Sequence, residues 1–356
     1  MTLGPATSRA RGQIFRDSAS LNLIKDGVDK LYNFQFREAE KSFHKVSLYY
    51  PGHPANFILS ALLKYWRNYP LLSSSQISNG FVTDLRVCIE MCEKEQHHGD
   101  NEEYLLVNMC ARGMLLLFYS DNGMSKEVLR LATTTYPFIR DALNKTSEYA
   151  DFYLFTGLYN YYREAYPEAY PIYKALAFLF PRGDKKKGLE QLKMAGQNSI
   201  VLRAEAYSFL SWILTNFEND YSRSTETIKI LYESYPINPQ YKIAYIKNLL
   251  LLKKYDEAEQ VMNSSGDGHG SLFYSAQLQI CKGILQEKKY FNNKIAIQNY
   301  ERGLRDIASF PNYSNEYSAY AYFGLSRITD RKKENDRKEY RKKALNIFPF
   351  KNVTFD

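Results

Sequence analysis

The sequence predicts an all-α fold, an α-solenoid of about eight antiparallel helix pairs across residues 18–350 with one apolar insertion, and three observations predict it. The segment around Tyr221 recurs 34 residues later around Tyr255. A run near the N-terminus repeats the same residue classes at the same offsets. The composition, 45% apolar and 24% charged, is that of a chain that folds, and its 356 residues exceed one ordinary domain. Stacked units need no single large core, which is how a chain of this length folds as one array.

Residues 1–17 come first. MTLGPATSRARG holds no acid and no apolar stretch of signal-peptide length. It reads as a disordered tail, a leader remnant or an addition foreign to the chain, so the compartment stays open: cytoplasmic, or periplasmic if a leader was removed. Helical periodicity begins near Ser18.

The first unit carries aromatic Phe36, small Ala39, aromatic Phe43, apolar Val46 and Pro51. Gly27 and Ala61 supply the small positions of first helices, and Gly27 is expected to face Ala39 and Phe43. The physical reason is closeness: two helices approach only where one presents a small residue to the other's bulk. Proline then ends the second helix, because it lacks an N–H and its ring blocks the ladder. Tyr221, Ser224, Ile228, Leu231 and Pro236 repeat those offsets, and Tyr255, Ala258 and Met262 repeat them again. Degenerate units follow the same logic: Tyr104 to Pro137 with Ala111 and Gly113; Ala296, Tyr300 and Gly303; Gly324, Ala344 and Pro349.

This pattern resembles the tetratricopeptide repeat (TPR) family, strongly over 20–70 and 203–262. The resemblance implies helix pairs twisted into a superhelix whose first helices line a concave, peptide-holding face.

The period fails between Tyr153 and Gln197. A first helix with Gly157 at its small position is expected to be interrupted by Pro167 and Pro171. IYKALAFLF is expected as a short apolar helix, and Asp184 caps a resumed second helix. This insertion, near 164–187, either plugs the array or meets a partner. Its layout is similar to that of the Iml2-like family of TPR-containing proteins, which again implies a helical adaptor.

Catalytic motifs find no support. Gly183 to Gly188 imitates half a P-loop, but Leu189 and Glu190 stand where Lys and Ser or Thr belong, and no strand precedes. Arg182-Gly183-Asp184 matches an adhesion tripeptide by letter alone. His44, His53, His97, His98 and His269 lack zinc-ligand spacing and read as solvated. Cys88, Cys92, Cys110 and Cys281 read as reduced core thiols. Glu102 and Glu103 complement a helix N-terminus. The chain is therefore expected to be no enzyme and to use no cofactor and no metal.

The aromatic content, 31 Tyr and 21 Phe against 2 Trp, points to binding. Tyr153, Tyr159, Asn160, Tyr162, Tyr166 and Tyr170, with Tyr241, Tyr245 and Asn248, are the candidate partner-binding residues; Tyr161, Tyr317, Tyr320 and Tyr322 lie in the same stretches. The expected partner is a protein or peptide of unknown identity. A glycan is the first alternative, since sugars stack on Tyr. Single-stranded nucleic acid is the second and less favoured one, through Tyr stacking and the basic run Arg331 to Lys343, although a net charge of +8 is modest. Trp212 reads as core. No apolar run approaches the roughly 18 residues of a membrane span.

Overall fold

A computed structural model describes residues 13–96, 102–171, 174–178, 180–264, 271–330, 333–350 and 353–356. The readings of residues 1–12 as a tail, of His97, His98 and His269 as solvated, of Ile172, Tyr173 and Leu179 in the insertion, and of Arg331 and Lys332 in the basic run lie outside the described residues.

Among the described residues the regular structure is helical, with no β-strand. The chain divides into two compact units, residues 1–164 with 175–206, and residues 165–174 with 207–356. The first holds α1 (Ser18–Tyr32), α2 (Phe36–Tyr49), α3 (Ala55–Arg67), α4 (Gln76–Gln96), α5 (Glu102–Asp121), α6 (Ser125–Leu143), most of α7 (Phe152–Ala169), α8 (Lys174–Ala177) and α9 (Lys185–Asn198). From α1 to α6 each helix packs on the next, and α3 also touches α1 and α5. The second holds most of α10 (Arg203–Asn216), then α11 (Tyr221–Ser234), α12 (Pro239–Leu251), α13 (Tyr255–Asn263), α14 (Leu272–Lys288), α15 (Asn293–Ile307), α16 (Asn315–Ile328) and α17 (Glu334–Ile347). There α14 touches α12 and α16 as well as its sequence neighbours. Neighbour and next-neighbour contacts of this kind are consistent with an α-solenoid.

Small residues set the helix spacing. A Cβ on Gly27 would fall inside the Phe43 ring, and Ala39 is sealed beside it in the same helix pair. In unit 2 the Tyr300 ring is clasped from both sides: a Cβ on Gly283 would stand 2.6 Å from its Cδ1, and one on Gly324 would enter the ring. Its hydroxyl donates to Glu287 at 2.7 Å, so a fully buried phenol still has its partner.

The turns repeat a feature that only backbone angles reveal. Phe34, Gly123, Asn219, Lys253 and Phe291 each sit in the left-handed region, with φ of 58°, 69°, 54°, 59° and 51°. Each stands at the turn between two packed helices, and the fifth residue after it is Ala39, Val128, Ser224, Ala258 or Ala296. The next amide closes the turn: Gln35 N–H donates to Lys30 O, Met124 to Tyr119 O, and Lys254 to Leu249 O. This satisfies carbonyls that a helix end otherwise leaves bare.

Several expectations are corrected. Pro51, Pro236 and Pro349 follow helix ends, but Pro137 lies inside α6 and Pro167 inside the last turn of α7. For α6, packing on α5 outweighs the lost bond. Helix α8 is four residues long, far less than the expected apolar helix. Residues 13–17 are not a loose tail: Ile14 is sealed and Phe15 packs against the core of Leu105, Leu106, Met109 and Phe152. Their amides donate to Glu103, at 2.7 Å from Ile14 and 2.9 Å from Phe15.

His53 is not solvated either, being 0% exposed. Its Nδ1 accepts from Ala55 N–H, and its Nε2 faces Glu103 Oε1 at 2.9 Å. Glu103 thus accepts from the two amides of Ile14 and Phe15 and lies against His53, while Glu102 meets Lys145 at 2.8 Å, which lowers its pKa. At the other end, Val353 and Phe355 are buried, and Phe355 meets Tyr320 edge-on at 4.9 Å. Val353, Thr354 and Phe355 are thus part of the core of unit 2 rather than a tail, and Asp356 is exposed.

Candidate functional site

The insertion closes on α7 as a strap. Asp184 accepts from Lys187 N–H and caps α9, which lies against α7. Close packing then follows from glycine: a Cβ on Gly157 would crowd Leu192 at 3.0 Å, and one on Gly188 would stand 2.8 Å from Tyr161 N. Gly183 lies against the Asn160 carbonyl. The glycines that imitate a P-loop are thus consumed in helix contact, and Lys185 lies over the Tyr161 ring at 5.4 Å.

Four hydrogen bonds fasten residues 180–183. Tyr159 OH donates to Pro181 O at 2.7 Å, Arg163 donates to Phe180 O from Nε and from a terminal nitrogen at 3.2 Å each, and Gly183 N–H donates to Glu164 Oε1 at 2.9 Å. Arg163 also pairs with Glu164 at 3.1 Å, so the clamp is charge-assisted on both sides. The Tyr136 ring packs at a tilt against Phe180 at 4.8 Å and Tyr159 at 5.6 Å. Burial, reinforced by Tyr136, raises the Tyr159 pKa and keeps its phenol a neutral donor. Just ahead of the clamp, Phe178 is 87% exposed.

The expected binding residues separate into two groups. Tyr153, Tyr159 and Tyr162 are half-buried on α7. Tyr166 and Tyr170 are half-buried and stack at 4.5 Å, with Tyr170 edge-on to Phe350. Asn160, Tyr241, Tyr245 and Asn248 are buried, which corrects their expected place on a binding face. The reason is polar saturation and ring packing: Asn160 donates to Gln191 at 2.7 Å, and Asn248 donates to Ser224 and accepts from Thr215. Tyr245 stacks on Tyr232 at 5.0 Å, and Tyr235 meets Tyr241. Tyr161, Tyr317 and Tyr320 are buried as well.

Sequence reading missed Arg163 and Glu164 as the clamp and Phe178 as its exposed crest. The adjoining opposite charges ahead of Pro167 were the one available signal.

Cys88, Cys92 and Cys281 are buried free thiols and Cys110 is half-buried; burial pushes Cys281 up to about 12. Among the described residues no group of three or more His, Cys, Asp or Glu is placed to hold a metal ion. No helix among them is long and apolar enough to cross a membrane. In α17 Lys338 and Lys343 pair with Glu334 and Glu339 one turn away, at 2.7 and 2.6 Å.

No protein-family model matches the chain, and no curated protein or solved structure matches it.

Proposed function

We propose that this chain is a non-catalytic scaffold of TPR-like helix pairs that binds a protein or peptide partner at the strap on α7. The observation that carries the reading is Phe178, 87% exposed immediately before a segment fixed by Tyr159, Arg163 and Glu164. An aromatic ring held ready in this way loses little entropy on binding, which is what makes such anchors effective. Tyr162 and Tyr153 offer half-buried rings on the same helix. The turn register, with a left-handed residue five positions before a small one in four of the five turns, supports the TPR-like repeat.

The test is capture of partners from source-cell extract with the intact chain, Phe178→Ser, and Lys126→Glu as an exposed control. A specific partner retained by the control and lost by Phe178→Ser is expected. Equal recovery with Phe178→Ser would remove the strap from the binding surface.

A further inference from the structure

A second surface lies wholly within unit 2, where three helix turns adjoin. Lys289 Nζ, at the end of α14, is 2.7 Å from Asp256 and 2.5 Å from Glu259 on α13. Tyr290 OH donates to Glu259 at 2.8 Å, and Arg327 near the end of α16 pairs with Glu287 near the end of α14 at 2.7 Å. The turns after α12, α14 and α16 therefore form one continuous edge.

Phe291 protrudes from it, 82% exposed, with Tyr290 47% and Ile295 41% exposed beside it. Its φ of 51° is strained for an aromatic residue. The other turns avoid that combination: Gly123 and Asn219 adopt such angles readily, Phe34 is packed, and Lys253 is hydrophilic. Among the described residues only Phe291 combines strain with an apolar ring in water.

Charge surrounds it. Lys254, Lys288 and Lys289 are matched by Glu257, Glu287, Asp256 and Glu259. Lys253, Lys294 and Lys333 are exposed and make no ion pair among the described residues. Asp330 and Asp336 flank Lys333 in sequence and temper that end of the edge.

We infer that this edge docks on an anionic lipid bilayer, with Phe291 entering the head-group boundary and Lys253, Lys294 and Lys333 meeting the lipid charges. Three apolar side chains are far below the roughly 800 Å² per partner of a stable protein interface. A liquid surface needs no complementary shape, and a few aromatic and aliphatic side chains plus lysines suffice for reversible adsorption.

Flotation of the full chain with phosphatidylcholine vesicles, with and without phosphatidylserine, tests this. Binding to the anionic vesicles alone is expected. Phe291→Ser should weaken it roughly ten-fold, as loss of one inserted ring implies. Lys253→Glu with Lys294→Glu should abolish it, while Lys126→Glu in unit 1 should not. No binding to anionic vesicles overturns the inference, and so does binding that Phe291→Ser leaves unchanged, which marks adsorption by net charge. Phe291→Gly, melting no lower than the parent, shows that any loss is not unfolding. The strap is untouched by these variants, so partner capture through Phe178 fails or succeeds independently.

Discussion

Phe34 and Phe291 occupy the same place in two helix turns, both left-handed, at φ of 58° and 51°. Phe34 packs against Phe36 at 5.0 Å and meets Trp66 edge-on at 6.1 Å, whereas Phe291 is 82% exposed. The same local strain is thus offset by packing in one turn and left standing in the other. Uncompensated backbone strain of this kind clusters at functional surfaces, which is the basis for the docking edge proposed above.

The largest expected effect sharpens the idea that packing decides which strain is tolerated. Gly324→Ala drives a methyl into the Tyr300 ring, which Gly283 already blocks from the other side. Denaturant unfolding should show a loss of about 3 kcal/mol or more, because neither flank has room to move. A loss below about 1 kcal/mol would mean that the clasp is loose. Phe34→Gly comes next, with a loss of about 2 kcal/mol, the ring's packing exceeding the relief of backbone strain.

Glu205 supplies a comparison set by pH. Burial pushes its pKa to about 7, and its sealed Oε2 has no hydrogen-bond partner among the described residues. The folded state holds this proton where the unfolded state has released it. Stability is therefore fully present below the ordinary carboxylate range and falls as pH rises towards 7. Glu205→Gln should flatten that slope and gain roughly 1–3 kcal/mol at pH 8, measured by melting across pH. An unchanged slope would mean that Glu205 is solvated.

Phe291→Gly is the smallest effect and has the opposite sign to Phe34→Gly. A gain of about 0.5–1 kcal/mol is expected, since strain disappears and little packing is lost. A loss instead would show that the ring packs more than its exposure indicates and would end the contrast between the two turns.

Much of the scaffold was legible in the sequence. Spacing alone placed Gly27 opposite Phe43 and put Pro51 and Pro236 beyond helix ends. Period and residue size are local properties that survive without knowing the neighbours. The candidate site was legible only in part. Its location in the period break was readable, but Arg163 and Glu164 acquire a role only when residues 180–183 fold back onto α7. The same limit explains His53, which reads as a loop histidine until Glu103, distant in sequence, arrives as its buried partner.

What the sequence by itself determined is the helical class, the small-residue register and the place where the period breaks, because these follow from helix geometry and side-chain size. Only the tertiary structure decided which tyrosines are core and which stay near water. Tyr245 and Tyr162 are equivalent by composition, yet Tyr232 covers one while the other remains half-buried. Burial is a property of what a neighbouring helix places opposite a residue, and no spacing within one helix contains it.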